Sequence, residues 1–141
     1  MFHCSFTARG HENILATHKT TLELTSEKTL TKRGNCIVGV ASSLTLDQFD
    51  QKIKKIVKSE NTRIILHMNI DSVCEVIEGR GSRGLTYTDQ KSMVIRKSSF
   101  ECDRTLMVNA DKASVDLKRD FVQLAKDPRR VILCKIDFLI E

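Results

Sequence analysis

Apolar and polar residues follow two periods along this chain, and the order of those periods occurs twice. Phe2 to Ala8 alternates and runs into Gly10, and Val73 to Ile77 does the same into Gly79-Arg80-Gly81. Ile14 to Thr25 and Leu85 to Arg96 are rich in Thr and aliphatic residues, which suits a pleated, half-buried surface, so both are predicted strands. Cys36 to Ala41 and Thr105 to Ala110 read as short apolar strands. The spacing then becomes helical. Phe49, Ile53, Ile56 and Val57 share one face of a predicted helix over Leu46–Val57. Ala113, Leu117, Phe121 and Leu124 form the corresponding stripe, on a helix predicted over Asp116–Ala125. Thr45 and Gln48 have the spacing of a capping box, Asp111 or Ser114 is placed to cap the second helix, and Pro128 stops it. Ile64 to Ile70 and Val131 to Ile140 are closing strands.

Sliding one half over the other turns this echo into an alignment. Ala8-Arg9-Gly10 falls on Gly79-Arg80-Gly81, Ile14 on Leu85, Thr17 on Thr88, Leu22 on Met93 and Leu24 on Ile95. After small gaps Ile37-Val38 meets Leu106-Met107, while Phe49, Ile53 and Ile56 meet Leu117, Phe121 and Leu124. Few pairs are identical, but the order is collinear throughout. The expected architecture is therefore α+β: one domain, residues 1–141, made of two internally duplicated β-β-(β)-α-β units, about 2–70 and 73–140. Two such units predict a small pseudo-twofold barrel with two helices, or else a single mixed sheet with both helices on one face. A helix between neighbouring strands also suits a right-handed parallel crossover.

Composition narrows the class. The 141 residues are 40% hydrophobic, enough for one core, and contain one Pro and six Gly, too few for long linkers. No apolar run approaches the roughly 18 residues of a membrane span, and the start of the chain does not read as a secretory signal. A cytoplasmic protein is expected. The five cysteines, odd in number and without a Cys-x-x-Cys pair, suit neither a disulfide framework nor a zinc ribbon, and are expected to be small buried hydrophobes. The net charge of +5 is a mild bias toward anionic partners.

Several stretches carry candidate chemistry. His11 and His18 flank Ile14–Thr17, and His18 aligns with Asp89, so a twofold axis could bring His11, His18 and Asp89 to one divalent metal, with Glu23 as a base. Gly79-Arg80-Gly81-Ser82-Arg83-Gly84 matches the dinucleotide fingerprint, but a strand rather than a helix is predicted after it, so it reads as a turn whose glycines permit positive φ. Such a turn could still hold a phosphate through Arg80, Arg83 and backbone N–H groups. Arg96-Lys97-Ser98-Ser99 and Arg104-Thr105 frame a cationic, hydroxyl-rich loop leading to Lys112 at the predicted start of the second helix, itself an anion-favouring place. Lys52, Lys54, Lys55 and Lys58 read as a solvated helix face. With one Tyr and no Trp there is little aromatic surface for stacking bases.

Gly10-His11 through Thr17-His18-Lys19-Thr20-Thr21-Leu22-Glu23, with Gly34-Asn35-Cys36-Ile37, resembles an archaeal family catalogued as domain of unknown function 371. Met93-Val94-Ile95-Arg96-Lys97-Ser98, Arg104-Thr105-Leu106 and Ala110-Asp111-Lys112-Ala113 carry the same resemblance, which covers nearly the whole chain. It implies an archaeal, cytoplasmic protein and no particular activity. The family pattern has a second Gly-His and a second Thr-His where this chain has Gly81-Ser82 and Thr88-Asp89, which implies the loss of two imidazoles here and weakens the metal reading.

The leading expectation is a phosphate- or anion-binding protein whose ligand is a nucleotide or structured RNA. Arg96, Lys97, Arg104 and Lys112 supply charge, and His18 and Thr20 supply hydrogen bonds. The alternatives are a small metal-assisted enzyme using His11, His18 and Asp89, and a structural subunit that docks on another protein or on its own copies.

Overall fold

The computed structural model describes residues 1–141 as an α+β fold of two four-stranded sheets and two short helices. In chain order the elements are β1 (Phe2–Arg9), β2 (Thr21–Thr25), β3 (Ile37–Gly39), α1 (Gln51–Ile56) and β4 (Thr62–Ile70). They continue with β5 (Val73–Arg80), β6 (Ser92–Arg96), β7 (Thr105–Met107), α2 (Arg119–Ala125) and β8 (Val131–Ile140). A 3₁₀ turn precedes each helix, at Leu46–Gln48 and Ser114–Asp116. The succession strand, strand, strand, 3₁₀ turn, helix, strand thus occurs in each half of the chain.

The first sheet has the order β1-β8-β4-β5 and is antiparallel throughout. Its strands alternate: Ile64, Leu66, Met68 and Ile70 of β4 and Ile132, Cys134, Ile136 and Phe138 of β8 point inward. The second sheet has the order β3-β2-β6-β7, with an antiparallel centre and a parallel strand on each side. Leu22, Leu24, Met93 and Ile95 turn from it into the same core, where Phe49 meets Tyr87 and Phe138 edge-on. Tyr87 is fully buried, and its hydroxyl donates to the Leu106 carbonyl at 2.6 Å.

The sheets do not close into a barrel, nor do they merge into one mixed sheet. They touch at two corners, where Arg9 bridges Val40 and Arg80 bridges Val108. Each bridge ends where the chain turns into a positive φ, at Ala41 (51°) and Asn109 (52°), so strand pairing stops after one step. The expected parallel crossover through a helix is likewise absent. Chain leaving β3 passes through α1 into β4 of the other sheet, which pairs only antiparallel.

Local expectations fail for identifiable reasons. The predicted helices begin too early, because 3₁₀ turns occupy their first residues. Gln48 Oε1 accepts from Thr45 N at 3.1 Å, but Asp50 is the cap of α1, accepting from Lys52 N at 2.7 Å. Neither Asp111 nor Ser114 caps α2: Asp111 accepts from Glu78 N on the edge strand β5, and Ser114 donates to the Cys36 carbonyl. No glycine has positive φ. Gly10 and Gly81 are required for close approach instead. A Cβ on Gly10 would overlap the carbonyls of Asp127 and Ala125, and one on Gly81 those of Val57 and Ser59.

Candidate functional site

The loops that enter β2 and β6 hold the residues singled out for metal binding. Residues 14–20 are not strand, and Ala16 has a φ of 52°, so the alternation that placed His18 on a strand face does not apply. His18 curls back instead. Its Nδ1 accepts from Thr20 N at 3.2 Å and Thr21 N at 3.1 Å. Asp89 does the same at β6, where Oδ2 accepts from Lys91 N at 3.1 Å and Ser92 N at 2.7 Å. An imidazole that accepts at Nδ1 carries its proton on Nε2. His11 Nδ1 accepts from Asn13 N at 3.0 Å. The two side chains aligned by sequence thus perform one structural task, opening the central strands of the second sheet. His11, His18 and Asp89 do not come together as a three-ligand group, and no other three His, Cys, Asp or Glu side chains do so either. Glu23, the expected base, accepts from Ser92 Oγ at 3.0 Å.

The four cations expected to hold an anion divide. Lys97 N donates to the Thr20 carbonyl, its Nζ lies 2.8 Å from Asp116 Oδ2, and Val115 N donates to the His18 carbonyl. Lys97, Thr20 and His18 therefore meet at the second 3₁₀ turn. Lys112 is close enough to add its field: the hydrogen bond from Lys97, the Ala113 N–H and then the two ammonium charges hold the Asp116 carboxyl below its usual range. Lys112 Nζ itself lies 2.9 Å from Glu75 Oε1, and the Glu75 side chain is 1% exposed. The other Glu75 oxygen accepts from Lys118 N at the start of α2. The helix terminus expected to receive an external anion already holds the protein's own carboxylate. Arg96 donates Nε to Thr105 Oγ1 at 2.9 Å and Nη2 to Cys102 Sγ at 3.4 Å, and its guanidinium lies over the Phe100 ring. Arg104 is exposed, in no ion pair, and enters β7 beside Val94 of β6, three residues before Lys97 in the chain.

Unpaired positive charge faces another recess. A groove of about 440 Å³ lies between the end of α1 and the Gly-rich turn, lined only by Lys58, Ser59, Glu60, Asn61, Ser82 and Arg83. Gly81 and Ser82 pass against the helix end, donating to the carbonyls of Thr62 and Val57, both at 2.9 Å. Lys58 and Arg83 form no ion pair within 4.0 Å. Ser59 Oγ accepts from Asn61 N at 3.1 Å, which leaves its proton to donate. Behind the turn, Glu101 accepts from Ser82 Oγ and Gly84 N. These bonds, aided by the Arg83 charge, hold its carboxyl below the usual range. A recess at the end of α2, about 300 Å³ and lined by Asp127, Arg129 and Arg130, has no free charge. Asp127 pairs with both arginines, and Arg130 also meets Asp71.

The model of a family described as a domain of unknown function (DUF371) matches residues 6–138. The chain belongs to that family. An uncharacterized protein of Methanocaldococcus jannaschii is 38% identical over 125 residues, which are 89% of this chain and 92% of that one. The family resemblance is therefore right, and neither finding brings a chemistry with it. No helix is long and apolar enough to cross a membrane.

Sequence reasoning missed Glu75, and had only a weak signal for it: one acid on the inward phase of β5. It named Arg83, and Lys58 as part of a solvated helix face, but could not bring them together, since Lys58, Ser59 and Asn61 come from the other half of the chain. The cysteines only partly follow the expected burial. All five are free, Cys134 is buried, and Cys74 is exposed.

Proposed function

We propose that this DUF371 protein binds a phosphate-bearing ligand, a nucleotide or structured RNA, in the groove between Lys58–Asn61 and Ser82–Arg83. The observation that carries this reading is two unpaired cations flanking a recess whose other donors are a hydroxyl and an amide. Guanidinium and ammonium groups with neutral donors suit phosphate oxygens. Glu60 is the single acid in the lining, and the Glu101 carboxylate behind the turn is taken up by Ser82 Oγ and Gly84 N. This moves the anion site from Arg96, Lys97 and Lys112, whose donors serve internal partners. We read the two halves as copies of one duplicated unit in which the recess at the end of α1 kept free charge and the recess at the end of α2 did not, and we place the protein in the cytoplasm.

The test is fluorescence anisotropy with a labelled RNA hairpin and a labelled nucleotide over a salt series. Each phosphate contact contributes about 0.7 to 0.9 to the slope of log affinity on log salt. Lys58→Ala with Arg83→Ala should weaken binding and flatten the slope by one to two such increments, while Arg104→Ala leaves both unchanged. An effect confined to Arg104→Ala would return the site to the loop before β7. Absence of salt-dependent binding to either probe refutes the reading.

A further inference from the structure

The outer face of the first sheet holds the largest concavity, about 510 Å³, and none of the chemistry assigned above. Register places its side chains in rows. Ser5, Lys135 and His67 are cross-strand neighbours on β1, β8 and β4, and Thr7, Leu133 and Asn69 form the next row. Ser43 closes one side, its hydroxyl accepting from Thr7 N at 3.0 Å. The lining thus combines an ammonium, an imidazole, three hydroxyls and an amide around Leu133, a leucine 58% exposed, and includes no carboxylate.

The one nearby acid orients the imidazole. His67 Nε2 lies 3.0 Å from Asp137 Oδ2, and Lys135 Nζ lies 3.6 Å from the other Asp137 oxygen. Asp137 is itself mostly covered, at 17% exposure, and does not line the concavity. A carboxylate bound to Nε2–H fixes the tautomer and leaves Nδ1 as the free, proton-accepting nitrogen. No protein group occupies that nitrogen. Lys135 and His67 sit on adjacent strands, where directly opposed Cβ atoms are about 5 Å apart. A ligand anion on Lys135 therefore brings a neighbouring hydroxyl of the same small molecule to His67 Nδ1, with its carbon body over Leu133.

We propose that this face is a second site, which binds a small hydroxylated carboxylate: carboxylate on Lys135, hydroxyl donating to His67 Nδ1. The hydroxyl keeps its proton and donates it to the Nδ1 lone pair as a hydrogen bond, while Asp137 holds the ring in that tautomer. No further step is implied. The site is independent of the phosphate groove.

Lactate and propionate, which differ by that hydroxyl, test it by titration into the protein with the His67 ring resonances followed by NMR. Lactate should saturate and move the His67 signals, and propionate should bind about tenfold more weakly for want of one hydrogen bond. Lys135→Ala should abolish binding of both, His67→Phe should remove the preference for lactate, and the Lys58→Ala, Arg83→Ala double variant should bind lactate like the wild type. The backbone amide spectrum of each variant reports whether the sheet remains folded. Equal binding of the two acids, unchanged binding in folded Lys135→Ala, or lactate shifts that never saturate would each overturn the proposal.

Discussion

Lys112→Met removes the ammonium that faces a buried carboxylate. Glu75 is 1% exposed and has two partners, Lys112 Nζ at 2.9 Å and the Lys118 N–H. Breaking a buried pair by deleting one partner costs about 3 to 5 kcal/mol, because the remaining charge is left without compensation. Two features reduce that here. The Lys118 N–H remains, and Lys112 is 31% exposed, so water can reach the vacated side. A loss of about 2 kcal/mol is the working value. For 141 residues, at about 2.1 cal/mol/K per residue, this is a fall in melting temperature of about 7 °C. Urea unfolding at pH 7 should show the midpoint falling with an unchanged slope, since the same surface is exposed. Adding Glu75→Gln to Lys112→Met should recover part of the loss, because a neutral amide needs no counter-charge. The reasoning is refuted if Lys112→Met lies within about 0.5 kcal/mol of wild type, the range of ordinary surface substitutions. The same coupling makes a Lys112 variant a poor probe of anion binding, since it alters the fold at the start of α2.

Gly81→Ala should cost about 1 to 3 kcal/mol or more in urea unfolding, because its Cβ meets backbone carbonyls at the end of α1 rather than yielding side chains. Alkylation with iodoacetamide at pH 7.5, read by mass spectrometry, should modify Cys102 and Cys74 ahead of the rest. Burial alone would raise the Cys102 thiol, but hydrogen bonds from Thr105, the Arg104 N–H and Arg96, with the Arg96 charge, bring it below its usual value. Burial pushes Cys4 and Cys36 up to about 11 and Cys134 up to about 12, and Cys74 is exposed. Acid should destabilise the fold in a defined window. The Arg129 hydrogen bonds lower Asp127 from 3.8 to about 2, and Glu78, Glu101 and Asp116 are also lowered. A depressed carboxylate stabilises the folded state above its unfolded value, and that contribution is lost as pH falls through its folded value. Urea midpoints should therefore decline between about pH 4 and pH 2, and Asp127→Asn should shallow that decline.

The succession of elements was legible in the chain, because burial imposes a local period. Ile53 and Val57, like Phe121, are buried as their helical spacing requires, and β4 alternates along its length, whereas Phe49 and Leu117 are buried from extended backbone just before each helix. The sheet register differs by one residue from the pairing of halves read in the sequence: Glu23 pairs with Ile37 and Val94 with Thr105, whereas the sequence set Ile37 against Leu106. Strand alternation could not reveal that residues 14–20 would leave the strand, since a positive φ at Ala16 has no signature in a residue with a plain methyl side chain. The fate of the charges was decided by tertiary structure alone. Lys112 finds Glu75 at a separation of 37 residues, and His67 finds Asp137 at 70. A charge is visible in sequence, but whether it is spent depends on which opposite charge the fold brings within a few ångströms. Coulomb energy follows distance in space, and only the packed sheets set that distance.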